Sequence, residues 1–121
     1  MYVVVWQFQV VPGRQAAFEK AYGPDGEWAR FFGRSQEFRG SELLRATLEP
    51  TEDGDEIGDA SQARDEADKN GRDYFTIDRW TRAEAYAAFN ERYAGEYEEM
   101  DNQFLDLCDV EVCLGHFETV D

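Results

Sequence analysis

Lysine is nearly absent from this chain of 121 residues: two lysines stand beside ten arginines, and these 12 bases face 27 acids, for a formal net charge of −15. Such a surface repels phosphate backbones, which argues against nucleic acid or an anionic membrane as a partner. There is one histidine, and there are two cysteines. Cys108 and Cys113, placed on one extended strand, would lie ~16 Å apart, whereas a disulfide needs Cα atoms within ~7 Å. Two thiols without a His or Cys cluster make no zinc site either. No apolar run approaches the roughly 18 residues of a membrane span. The apolar start, Tyr2 to Trp6, is short and lacks the basic flank of a signal peptide, so the expected location is the cytoplasm. The excess of acid over lysine reads as adaptation to high salt, where screening suppresses self-repulsion; an ordinary acidic protein from a GC-rich genome is the alternative.

What is present is aromatic. The hydrophobic share is 42% and the aromatic share 15%, which fits one folded domain over 1–121 with a single core. Tyr2 to Val10 alternates and is rich in valine, which predicts a strand. Pro12 fits the first turn of a following helix that carries Phe18 and Tyr22. Trp28, Phe31 and Phe32 mark a second short helix ending near Gly33. Ser41 to Leu48 reads as the second strand, entered through Arg39-Gly40. Residues 49–73 carry ten acids against three bases and read as a long acidic surface loop inserted between strands. Within it, Asp53-Gly54-Asp55-Glu56 lacks the further alternating oxygen ligands of a calcium loop, so no metal is expected.

Tyr74 to Trp80 is the third strand and runs almost directly into a helix. Tyr86, Phe89, Tyr93, Tyr97, Met100, Phe104 and Leu107 step by three or four, which predicts one long amphipathic helix, bent or interrupted at Gly95. Val110 to Phe117 is the fourth strand. The order β-α-(α)-β-β-α-β is the ferredoxin-like plan, an α+β subunit with a four-stranded antiparallel sheet and helices on one face. Val3, Val5, Leu43, Phe75, Ile77 and Phe117 are expected on the bare face, where apolar residues favour sheet-to-sheet dimerisation.

Val11-Pro12-Gly13 before a helix with Phe18, then Trp28, then Phe38-x-Gly40-x-x-Leu43-Leu44, then Tyr74 to Trp80 followed by Ala85 and Phe89 occur in one order. This series resembles the antibiotic biosynthesis monooxygenase family of the dimeric α/β-barrel superfamily, over most of the chain outside 49–73. The resemblance implies a homodimer whose open sheet faces form a barrel, with a small-molecule pocket between sheet and helices in each subunit. It also implies oxidation of an aromatic or quinol-like compound by oxygen without metal or flavin. The alternative is a non-catalytic small-molecule-binding or stress-response barrel, because fold does not fix function.

On this resemblance Trp80 is a pocket wall, together with Trp6, Phe32, Asn90 and Tyr93 as substrate-binding candidates; the alternative for Trp80 is that it only packs under the long helix. Thr76 stands where such enzymes can carry an asparagine. Haem-degrading members resemble the chain in outline, but Trp6 and Asn90 occupy the positions of their first-strand asparagine and their histidine, which argues against haem degradation by that route. His116, the lone histidine, shares strand parity with Val110, Val112 and Leu114. It is the expected general base if it faces the pocket, since its ordinary pKa is near 6.5. Asp78, with the parity of Trp80, is the candidate carboxylate partner, the alternative being a solvated group or a pair with Arg79, Arg82 or Arg45 across strands, and Thr76 completes the catalytic candidates. Tyr86, Tyr93 and Tyr97 supply phenols on the roofing helix.

Overall fold

The computed structural model describes residues 1–47 and 72–120. Its elements are β1 (Tyr2–Val10), α1 (Gln15–Tyr22), α2 (Glu27–Phe32), β2 (Phe38–Arg45), β3 (Asp73–Trp80), α3 (Ala83–Arg92), α4 (Ala94–Gln103), a 3-10 turn (Leu105–Leu107) and β4 (Cys108–Glu118). The strands form one antiparallel sheet in the order β2-β3-β1-β4. This is the ferredoxin-like α+β plan expected from the sequence. Leu48 and the acidic segment up to residue 71 lie outside the described residues.

Alternation on the strands decides which side chains meet the helices. Val4, Phe8 and Val10 of β1 and Tyr74, Thr76, Asp78 and Trp80 of β3 are buried on one face. Helices α1 and α2 cover them with Phe18, Tyr22, Trp28, Phe31 and Phe32, and α3 adds Ala85 and Phe89. The core is built from aromatic rings in contact, as in Phe18–Tyr22 with centroids 4.3 Å apart and Phe89–Tyr93 at 4.6 Å.

Pro12 does not open α1. Arg14 N–H donates to the Val11 carbonyl at 3.0 Å, and Gly13 has φ +86°, so Pro12 and Gly13 are the central residues of a turn before the helix. Proline at the first central position and a left-handed glycine at the second are the type II preferences.

The long helix is two helices. Tyr93 leaves helical geometry at φ −111°, ψ 25°, although its N–H still reaches the Phe89 carbonyl at 2.9 Å. The break thus lies two residues before Gly95, at a tyrosine whose ring is held against Phe89 and Phe31.

Bulges correct the expected strand faces. In β2 the register passes from Phe38↔Trp80 to Ser41↔Asp78, three residues against two, with Gly40 at φ +105° absorbing the extra residue. Leu43 consequently pairs with Thr76 and packs on the helix side, and Leu44, opposite Phe75, takes the bare face. In β4 the extra residue is Leu114, between Cys113↔Trp6 and Gly115↔Val5. His116 therefore lies opposite Val4 on the helix side, while Val110 and Val112 face away, so the parity expected for His116 does not hold. The bare face carries Val3, Val5, Leu44, Phe75, Ile77, Val110, Val112 and Phe117, of which Leu44, Val110, Val112 and Phe117 are exposed.

Candidate active site

A cleft opens between the helix side of the sheet and the helices. Its walls are the rings of Trp6 and Phe8 from β1, Tyr22 from α1, Trp28 and Phe32 from α2 and Tyr97 from α4. Its polar groups are Ser41, Thr76, Asp78 and Glu111. The cleft measures about 390 Å³ out to its mouth, but only about 30 Å³ is wide enough for the centre of a water molecule. A bound water needs roughly 10–15 Å³ by that measure, so this is a slot for a few waters. A polycyclic ligand would enter only if the aromatic walls moved.

Asp78 is the buried carboxyl of the cleft. It is 9% exposed, and Ser41 Oγ donates to its Oδ1 at 2.6 Å. Burial raises its carboxyl pKa from 3.8 to about 6, and the Ser41 hydrogen bond only partly opposes this. No arginine or lysine contributes to holding the charge. The nearby Arg79 guanidinium is directed to Glu42 on the other face, at 3.1 Å. A buried carboxylate without a cation is costly to keep, and such groups concentrate at functional sites.

The Tyr97 phenol is pushed upward, by burial first, then by the charges of Tyr86, Asp101, Glu111 and Asp78. Glu111 is raised by desolvation and then by Asp101. Trp28 Nε1 is buried and makes no hydrogen bond.

No family model matches the sequence, and no curated protein matches it. Solved structures do match. A proposed antibiotic biosynthesis monooxygenase from Nitrosomonas europaea superposes with TM-score 0.61 at 13% identity, over 100% of both chains. SnoaB, described as a cofactor-independent oxygenase from Streptomyces nogalater, gives 0.62 at 21% identity, over 99% of this chain and 93% of its own. MhuD, solved with two manganese protoporphyrin IX molecules per active site, gives 0.54 at 19% identity, over 99% and 95%. This chain has the fold of the antibiotic biosynthesis monooxygenase structures. The likeness at these identities concerns the fold, and the same architecture houses the porphyrin-bound MhuD.

Within that monooxygenase fold the expected site residues divide. Trp6, Phe32, Thr76 and Asp78 do line the cleft. Trp80 does not: it is 0% exposed, enclosed by Phe32, Phe38, Tyr86 and Phe89 at 5.1–5.7 Å between ring centroids, and its Nε1 has no partner. The strand alternation that buries Trp80 also carries it beyond the cleft, to the end of β3 under α3. Burial raises the pKa of the Tyr86 phenol and neighbouring Asn90 opposes the rise; the Asn90 Oδ1 is itself buried and unpartnered. Tyr93 packs on Phe31 and Phe89 and borders a separate surface groove with Arg34, Arg82 and Arg92.

His116 is exposed at the sheet edge. Its Nδ1 bonds the Tyr2 hydroxyl, and its ring stands edge-on to Tyr2 and Tyr86. His116 and Asp78 flank Val4 on the helix side of the sheet, one on β4 and one on β3, and no hydrogen bond joins them: the His116 ring bonds Tyr2, and Asp78 accepts from Ser41. Sequence reasoning overlooked Ser41 and Glu111. The glycine at position 40, inside a strand pattern, was the available signal for a bulge that turns Ser41 inward. Glu111 becomes a cleft residue only through the register of β4, which the sequence pattern does not show.

Proposed function

We propose that the chain is a cofactor-independent monooxygenase acting on a small aromatic or quinol-like compound, with Asp78 as the general base. The observation that carries this reading is the buried Asp78 carboxylate, bonded to Ser41 and lacking a cationic partner, inside an aromatic slot. At neutral pH a carboxyl with a pKa of about 6 is mostly ionised yet far more basic than an ordinary aspartate, which suits proton abstraction. It takes the proton of a phenolic O–H or an activated C–H. The resulting aromatic anion is the electron source for oxygen. For a methylene carbon the overall change is to a ketone: one atom of dioxygen becomes the carbonyl oxygen, and the other leaves as water with both methylene hydrogens. Ser41 fixes the carboxylate, Thr76 offers a second hydroxyl, and Trp6, Trp28 and Phe32 hold the ring and exclude water. The description of SnoaB as a cofactor-independent oxygenase supports the reaction class.

The non-catalytic binding barrel is favoured by the narrowness of the slot. A homodimer joined through the apolar sheet face belongs to either reading, as does a high-salt cytoplasm for so acidic a chain. Among the described residues no helix is long and apolar enough to cross a membrane. The test is oxygen consumption by the purified chain with hydroquinones and anthrone-type compounds. Uptake that saturates with substrate and collapses in Asp78→Asn is expected; equal rates for the two proteins would overturn the assignment.

A further inference from the structure

The acids of the cleft are arranged by depth. Asp78 lies at the floor, almost fully enclosed, while Glu111 is on an exposed stretch of β4 at the mouth. Register separates them along the sheet: Asp78 pairs with Val4 and Glu111 with Phe8, on opposite sides of β1 and four residues apart. That offset is about 13 Å along the strand. Asp101 of α4 adds its charge beside Glu111. The cleft lining includes no Arg, Lys or His. These acids do not form a group able to share a metal ion. Aromatic faces between a buried and an exposed carboxylate are instead the surroundings that favour an organic cation.

We propose that the cleft selects an elongated phenol or quinol bearing an alkylammonium arm, the hydroxyl meeting Asp78 and Ser41 and the ammonium drawn toward Glu111 at the mouth, across the aromatic walls. This rests on the reading of the cleft as the substrate site and names the charge of what enters it. A single ring with a short chain needs less displacement of the aromatic walls than a tricyclic compound, since the slot as it stands holds only a few waters. Carboxylate-bearing aromatics of the same shape are rejected by the same acids.

Three probes that share the 4-ethylphenol frame separate these terms: tyramine, 4-ethylphenol and 3-(4-hydroxyphenyl)propanoate, titrated calorimetrically into the full chain at pH 8. Salt at about 0.3 M screens attraction to the general surface charge, and a stoichiometry of one per chain identifies the cleft. Tyramine is expected to bind about ten-fold more tightly than 4-ethylphenol, and the propanoate about ten-fold more weakly. In Glu111→Gln, a surface change checked for unaltered melting temperature, the tyramine preference is expected to fall to about three-fold. Equal affinities, a preference for the anion, an undiminished preference in Glu111→Gln, or no saturable binding of any probe would each overturn the proposal. Oxygen uptake with neutral quinols is measured separately, so a missing charge preference alongside retained uptake removes this inference and leaves the oxygenase reading standing.

Discussion

Ser41 Oγ reaches Asp78 Oδ1 at 2.6 Å only because β2 gains a residue at the Arg39-Gly40 bulge. Without that extra residue, a strand aligned at Phe38↔Trp80 would turn Ser41 to the bare face and leave Asp78 buried without its donor. A backbone irregularity, tolerated at φ +105° by a glycine, therefore completes the one buried acid of the cleft.

Asp78→Asn should separate stability from activity. The folded carboxyl is raised from 3.8 to about 6, so its contribution is fully favourable below pH 3.8 and is lost as pH rises through about 6. The ionised group then costs roughly 3 kcal/mol at pH 8. The asparagine variant should melt several degrees higher at pH 8, a gain that disappears near pH 4, while losing at least ~100-fold in oxygen uptake. Wild-type uptake should rise with pH through about 6. A variant less stable at pH 8 than the parent would show that the carboxylate is better compensated than its surroundings indicate.

Ser41→Ala removes the one hydrogen bond that lowers the Asp78 pKa. The midpoint of the pH–rate profile should therefore move upward from that of the parent. The maximal rate at high pH should fall less than in Asp78→Asn, because the base itself remains. A midpoint that moves down, or an unchanged profile, would show that Ser41 does not hold the catalytic carboxylate.

Trp80 should behave as a core residue. Trp80→Ala is expected to cost about 3–5 kcal/mol in denaturant unfolding. Trp80→Phe should cost much less, since it keeps most of the ring and removes an indole N–H that has no partner. Phenol affinity in Trp80→Phe should stay near the parent value, because the side chain lies outside the cleft. A large loss of affinity with stability intact would return Trp80 to the site.

How far the sequence could be read follows from these residues. Period-two alternation in Tyr2–Val10 and Tyr74–Trp80 exposed both central strands, and with them the order of the fold and the shared face of Asp78 and Trp80. Alternation fails at a bulge, however, and three positions moved for that reason: Ser41 into the cleft, Leu43 off the bare face, and His116 onto the helix side. Ring contacts decided the rest. Trp80 and Tyr93 are held in the aromatic core, which no one-dimensional pattern distinguishes from a pocket wall.

The net charge of −15 makes salt a direct probe of surface repulsion. If the acidic composition is an adaptation to high salt, the melting temperature should climb steadily between 0.1 and 2 M KCl. Raising salt over the lower part of this range shortens the Debye length from about 10 Å to about 3 Å at 1 M. A melting temperature that peaks or falls above 0.2 M would mark an ordinary acidic protein.

The bare sheet face gives the last prediction. Val112, Phe117 and Leu44 are each more than 40% exposed on the single chain, beside Val3, Val5, Phe75 and Ile77, a contiguous apolar surface of the kind that associates. Light scattering of the parent chain at micromolar concentration should give twice the 14.0 kDa chain mass. Val112→Arg, opposite Gln7 on that face, places a charge within the proposed interface and should yield monomers. The cleft lies on the other side of the sheet, so the monomeric variant should still bind phenols if each subunit carries a complete site. A monomeric parent would remove the dimer, whereas a monomeric variant that no longer binds would mean that association through the sheet is needed to shape the cleft.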